Sequence, residues 1–204
     1  MLEGDVEPTA TPQNPLDVLA QQIVAMVSLE EWPVAPLYDL LRQAYDLAKF
    51  GPTSANCQPL RVVFVRSPAA KEKLRSALSA SNVEQSMAAP ATAIIAADHA
   101  FYRHLPRLYT EENAVPWFEG KPDAIAATAF RNSSLQGAYL IIALRALGLD
   151  CGPMSGFSNV KVDELFFSGT EIKSNFLINI GYGNPESLRP REQRFAFEEA
   201  CQIL

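Results

Sequence analysis

The 204-residue chain is 48% hydrophobic and 20% charged, enough apolar content to bury a full core, and one domain is the natural reading. The formal charge of −6 is uneven: residues 1–41 hold seven acids and no Lys or Arg, leaving 16 acids and 17 bases in the other 163 residues. That balance excludes a general nucleic-acid partner, which needs clustered cations, and a basic organelle presequence. There is no apolar run of roughly 18 residues and no positively charged stretch ahead of an apolar one, so a membrane span and a secretory signal are not expected. The expected location is cytoplasmic. Cys57, Cys151 and Cys201 have no CxxC spacing, and the histidines are His99 and His104, so neither a disulfide framework nor a zinc site is indicated.

Residues 1–13, rich in Thr, Pro, Glu and Gln, read as a flexible segment before a domain spanning 14–204. Asn14-Pro15 is an N-cap signal, and Leu16, Leu19, Ile23 and Met26 follow at helical spacing. The signal recurs at Ala35-Pro36, where Leu37, Leu40, Leu41, Ala44, Tyr45 and Leu47 trace a helix ending before Gly51, expected to pack on the first. Residues 60–66, 91–97 and 175–180 read as core strands, with a helix over 68–79 that exposes Lys71, Lys73 and Arg75. Over 123–148, Ile125, Phe130, Leu135, Ala138, Tyr139, Ile142 and Leu147 recur at helical spacing until Gly148, which marks a central helix apolar on more than one face. Without regular βαβ alternation, the class is α+β.

Several stretches can carry chemistry. The loop 51–59 (GPTSANCQP) concentrates hydroxyls, amides and backbone N–H groups; it suits a polar ligand, and it equally suits an ordinary turn. Residues 150–157 (DCGPMSGF) hold two glycines and a proline, which let the backbone run flat against a planar ligand, or form a C-cap and loop. Gly181-Tyr182-Gly183 lacks the rest of a dinucleotide fingerprint and reads as a turn, while Arg189, Arg191 and Arg194 form either a solvated surface or a phosphate clamp. Arg131-Asn132-Ser133-Ser134 interrupts the long helix with polar groups that need partners, as a buried network, a subunit interface or a site wall. Cys57 with His99 or His104 has no supporting spacing as a nucleophilic pair, and Trp117-Phe118 is either a lid or a core anchor.

Together GPTSANCQP, FRNSSLQGAYLIIALRALGLDCGPMSGF, IKSNFLINIGYGNP and PREQRFAFEEACQIL strongly resemble the nitroreductase-fold flavoenzymes across residues 34–204, nearest the malonic semialdehyde reductase and NAD(P)H nitroreductase branch. The resemblance implies an intertwined homodimer with a mixed central β-sheet flanked by helices and one FMN at each of two subunit interfaces. It places Pro52, Thr53, Ser54 and Asn56 against the flavin from across the interface, and Pro153, Met154, Ser155, Gly156 and Phe157 along the isoalloxazine. The backbone N–H groups of Ser155 and Gly156 would bond N5 and O4, Asn82 and Gln85 would face the pyrimidine edge, and Arg191 and Arg194 would hold the phosphate. NADPH or NADH would reduce the flavin, and a small aldehyde acid, nitro compound or quinone would reoxidise it. Arg131, Arg103 or Arg107 are the candidate cations for a substrate carboxylate.

The chain departs from the family at two charges. Relatives carry an N-terminal arginine motif for the phosphate, where residues 21–27 (QQIVAMV) hold no cation, and many have Lys where Gln85 stands. The alternative is therefore a cofactor-depleted dimer acting as a binding or scaffold protein.

Overall fold

The computed structural model describes residues 34–187 and 190–204. The expected helix beginning at Asn14-Pro15, the flexible segment 1–13, the cation-free stretch 21–27 and Arg189 lie outside them. Helix α1 (Val34–Ala48) buries Leu37, Leu41, Ala44 and Ala48 along one stripe and leaves Tyr38, Tyr45 and Leu47 exposed. After β1 (Leu60–Val65), Ser67 caps α2 (Pro68–Arg75) by accepting from Ala70 N, with Pro68 at the first helical position. Then come α3 (Ala80–Ala88), β2 (Ala91–Asp98), the one-turn α4 (Leu105–Leu108) and α5 (Pro122–Ala146). Beyond α5 the backbone turns at Gly148, φ 85°, into β3 (Asp150–Met154). The chain continues through α6 (Asn159–Phe166), capped by Ser158, β4 (Ile172–Gly181) and the short α7 (Phe197–Ala200).

Among the described residues four strands form one sheet in the order β1-β2-β4-β3, and each of its three ladders is antiparallel. The expected mixed sheet is corrected here. The reason lies in the connections: α2 and α3 lead out and back between neighbouring strands, whereas α5, about 37 Å long at 1.5 Å per residue, crosses the sheet and delivers β3 parallel to β2 but with β4 between them. The α+β class and the helix-flanked central sheet stand.

Alternation along the strands sorts side chains onto two layers. Leu60, Val62, Phe64, Ala93, Ile95, Ile178 and Ile180 pack with Leu37, Leu41, Leu140 and Leu144 of α1 and α5. Val63, Val65, Ile94, Ala96 and Leu177 pack on the opposite face with Leu74, Ala77, Val162 and Phe167 of the α2, α3 and α6 layer. A third cluster, Phe101, Leu105, Phe118 and Ala129, closes the end of the sheet, with the Phe101 and Phe118 rings edge-on at 4.9 Å.

Several expectations change. The helix expected over 68–79 ends at Arg75, and a further helix, α3, starts afresh behind Ser79. Lys71, expected at the surface, is only 5% exposed. Residues 150–154, read as a loop, are an edge strand, where Pro153 costs no ladder that a central strand would need. Trp117 is 42% exposed whereas Phe118 is buried, so Phe118 is the core anchor.

Gly137 on α5 lets the helix lie on the sheet: a Cβ there would stand 2.6 Å from Phe176 Cζ and 3.2 Å from Ile95 Cγ2. Gly137→Ala is expected to lower unfolding free energy by about 1–3 kcal/mol through overpacking despite better helix propensity, read as a reduced urea midpoint.

Candidate functional site

The loop 51–58 is held from the α5 side. Ser54 N donates to Asn132 Oδ1 at 2.9 Å, and Leu60 N to Gln136 Oε1 at 3.0 Å. Asn132 itself is fully buried and donates to Thr128 O. Ser133 and Ser134 donate to Phe130 O and accept from Asn175 Nδ2 at 3.0 and 2.9 Å. The polar interruption of the long helix is thus a satisfied network that fixes the loop on one side and β4 on the other. Within the loop, Ala55, Asn56 and Gln58 hold φ of 47°, 46° and 40°, the left-handed region that non-glycine residues rarely adopt. Gln58 N donates to Thr53 Oγ1, Gln58 Nε2 to Asn56 Oδ1, and Asn56 Nδ2 to Leu108 O. Gly51 is required by a close approach, since its Cβ would meet the Tyr139 ring at 2.6 Å.

The second segment is built on the opposite layer. Where β3 ends, Gly156 O accepts from Ser79 N at 3.0 Å and from Asn82 Nδ2 at 2.9 Å, and Ser158 N donates to Ala77 O. A Cβ on Gly156 would run into the Asn82 amide, so the site requires bare backbone. Among the described residues no hydrogen bond engages the N–H of Ser155 or Gly156, and Asn82 Oδ1 accepts none. Pro153 and Ser155 are exposed, Met154 is partly buried, and Gln85 lies one turn beyond Asn82 on α3. Asn82 and the 153–156 rim are therefore brought together, with Gln85 on the same helix.

Pro52, Thr53, Ser54 and Asn56 are not brought to that rim. The loop leads into β1 at one sheet edge, whereas the rim follows β3 at the other, about 14 Å away across three strand spacings, and the two are anchored in opposite helical layers. Arg194 donates to the carbonyls of Glu192 and Gln193, and the segment 190–204 that carries it and Arg191 is exposed throughout. Gly181 is the last residue of β4, and Gly183 N beyond it is held by Asp150 Oδ2 at 2.6 Å.

Of the candidate substrate cations, Arg103 is paired with Glu171 at 2.9 Å. Arg131 lines a depression of about 580 Å³ on the outer face of α5 with Phe130 and Leu135. Arg107 lines a cleft of about 420 Å³ with Lys49, Arg61 and His104, in which Asp98 accepts from Arg61 Nη2 at 2.5 Å. Sequence reasoning named Arg107 but missed the cleft as a whole, because its basic members come from three separate segments, at 49, 61 and 104–107.

Cys57 is fully buried and burial pushes its thiol up to about 11, so it has no nucleophile's character. Among the described residues no group of His, Cys, Asp or Glu could hold a metal, and no helix is long and apolar enough to cross a membrane.

The nitroreductase family profile matches residues 36–182. The chain belongs to the nitroreductase family. A protein of Burkholderia lata, provisionally named an NADH dehydrogenase/NAD(P)H nitroreductase, is 57% identical over 173 residues, covering 84% of this chain and 89% of that one. A like-named protein of Polynucleobacter asymbioticus is 52% identical, covering 91% and 95%. Among solved structures, a protein of Bacillus subtilis provisionally named a nitroreductase superposes with TM-score 0.81 at 22% identity over 93% of this chain and 98% of that one. A protein of Exiguobacterium sibiricum, likewise provisionally named and in complex with FMN, gives 0.76 at 18% identity over 97% and 100%. These two show the fold. A winged-helix profile of a large helicase-related protein also matches residues 1–56; within that range the described Val34–Ala48 is one helix packed into the core of this domain.

Cys151, like Cys57, is buried, its thiol pushed up to about 12, while Cys201 is exposed. Alkylation of the folded protein at pH 8 is expected to modify one thiol of three, Cys201, with all three reacting in urea; intact-mass spectrometry reads the count.

Proposed function

We propose that the chain is an FMN-dependent NAD(P)H oxidoreductase working as an intertwined homodimer. It takes hydride from NADH or NADPH and passes it to a small electrophile, either an aldehyde acid such as malonic semialdehyde, reduced to 3-hydroxypropionate, or a nitro or quinone compound. The observation that carries this reading is the separation of two polar segments, 51–58 and 153–156, onto opposite layers of one chain. A planar ligand held by both needs a second copy. The exposed apolar side chains Tyr45, Phe50, Phe130, Leu135, Tyr139 and Ile142 on and beside α1 and α5 give that copy a face to cover.

The residues of the rim fit a flavin ring. Two uncommitted N–H groups at Ser155 and Gly156 match ring acceptors, Asn82 retains a free amide oxygen, and Gly156 admits no side chain. When bound, FMN supplies a two-electron acceptor and donor at N5. Within this reading Pro153 and Met154 lie along the ring, Gln85 reaches its pyrimidine edge, and Pro52, Thr53, Ser54 and Asn56 approach from the partner copy. Arg191 and Arg194 answer the phosphate, and Arg131 is the cation for a substrate carboxylate. A flat, open ring face asks for no acid–base pair of His, Asp or Glu at the rim. The NAD(P)H nitroreductase names of relatives more than 50% identical support the same reductant.

The absence of any base in residues 1–41 favours the second reading, a cofactor-free dimer. Flavin absorbance separates the two: purified protein is expected to retain or take up FMN at micromolar concentration, one per chain. A colourless protein that takes up none would sink the oxidoreductase reading. Gly156→Ala, which forces Asn82 off the Gly156 carbonyl, is expected to weaken FMN binding by about tenfold or more while leaving the circular-dichroism spectrum unchanged. Light scattering of the unmodified protein should return twice the chain mass. Stopped-flow reduction by NADH and NADPH, followed by malonic semialdehyde, a quinone and a nitroarene, identifies reductant and oxidant.

A further inference from the structure

Lys71 points inward from α2 beneath the α3–β3 rim. Its ammonium donates to Ser86 O, to Ala89 O at 2.6 Å and to Thr92 Oγ1 at 3.2 Å. Two of these acceptors lie at the C-terminal, partially negative end of α3, Ser86 O in its last turn and Ala89 O at its C-cap. The third begins a buried chain: Thr92 Oγ1 donates to Asn179 Oδ1 at 2.8 Å, Asn179 Nδ2 to Ser86 Oγ at 3.3 Å, and Ser86 Oγ to Met154 Sδ at 3.5 Å. That chain ends on the rim. Every acceptor is uncharged, and no carboxylate pairs with Lys71 among the described residues.

The ionisable groups of the surrounding elements are turned to other partners. Glu72 and Arg75 pair with each other on α2, Lys73 lies over the Phe166 ring, and Glu84 of α3 is exposed. Asp163 of α6 accepts from Ser174 N and faces Lys173 of β4, Lys161 reaches Ser76 O, and Glu164 is exposed. Asp98 of β2 holds Arg61, and Asp150 of β3 holds Gly183 N. Burial alone lowers the Lys71 ammonium to about 8, and no neighbouring charge offsets it.

A structural cap for α3 does not need a full charge, since an uncharged amide could serve the same carbonyls. We propose that Lys71 is an electrostatic positioning residue whose missing counter-charge is the negative charge that a flavin at the rim gains on reduction, so that Lys71 biases the bound cofactor toward its reduced form. This rests on the FMN reading above. Hydride from NAD(P)H brings two electrons and one proton to N5; with N1 left unprotonated the ring gains one negative charge, and the nicotinamide leaves as its oxidised cation. Lys71 touches neither. It acts through the field it sets up behind Ser86 and Met154.

The expected size is on the order of tenfold in the ratio of affinities for reduced and oxidised flavin, for a unit charge acting over roughly 10 Å at an effective dielectric of about 20. For a two-electron couple tenfold is about 30 mV.

The test compares the unmodified protein with Lys71→Met, which keeps the length and removes the charge. Bound FMN in the variant is expected to have a midpoint potential lower by about 30 mV at pH 7, with the gap shrinking toward pH 9.5 as Lys71 of the unmodified protein loses its proton. Flavin bound by both proteins with equal potentials at pH 7 would overturn the proposal and leave the FMN reading intact. Failure of the unmodified protein to bind FMN would overturn both. A second measurement needs no cofactor. Between pH 8 and 10.5 the unfolded chain binds more protons at Lys71 than the folded one, so this group adds stability as pH rises through that window. Urea unfolding of the apo protein at pH 7.5 and 9.5 should show that increment over Lys71→Met, and NMR titration should find the Lys71 ε-carbon shifting near pH 8. A Lys71 that titrates near its ordinary 10.5 overturns the buried, uncompensated charge and with it the proposal.

Discussion

A backbone N–H that enters the interior has to find an acceptor, and helix α5 meets that demand for the segment ahead of β1. Asn132 takes the Ser54 N–H and Gln136 the Leu60 N–H, both from positions on α5 that its apolar spacing would otherwise give to aliphatic side chains. Without those two amides the loop would have no fixed height above the sheet and β1 no defined start. Because α5 also carries Gly137 against Phe176 and Leu140 and Leu144 into the main core, one helix sets the sheet, the loop and the outer face at once.

The legible parts of this fold were those in which one side chain pattern has one structural meaning. Residues 60–65, 91–98 and 122–146 announce themselves because β-branched runs and 3.6-residue periodicity survive tertiary packing unaltered. The strand at 150–154 was not legible, since Gly152 and Pro153 argue against a strand everywhere except at a sheet edge, and edge position is a property of topology. Lys71 was misread for a related reason: within a helix of eight residues a lysine gives no sign of which turn faces inward, and its acceptors arrive from Ser86, Ala89 and Thr92, 15 to 21 residues on.

The candidate site divides in the same way. Gly156 can be named from its sequence neighbourhood and Asn82 only from the family resemblance, and the contact between them, made across 74 residues, fixes which atoms remain free. Of the basic cleft of Lys49, Arg61, His104 and Arg107, the linear sequence places only His104 and Arg107 near each other. Charge shows the contrast well: the surface acids and bases are apparent from counting, while the Lys71 ammonium under the rim is apparent only from its surroundings.

The left-handed residues of the loop 51–58 have a consequence for recognition. Ala55, Asn56 and Gln58 each hold a conformation that costs about 1–3 kcal/mol outside a tightly supported turn, and the supports are Thr53, Asn132 and the Leu108 carbonyl. That outlay is made once, during folding. A ligand meeting this surface encounters a loop already in its final shape, so no loop-ordering entropy is charged to association, and selectivity resides in a rigid template whose contours a visitor must match.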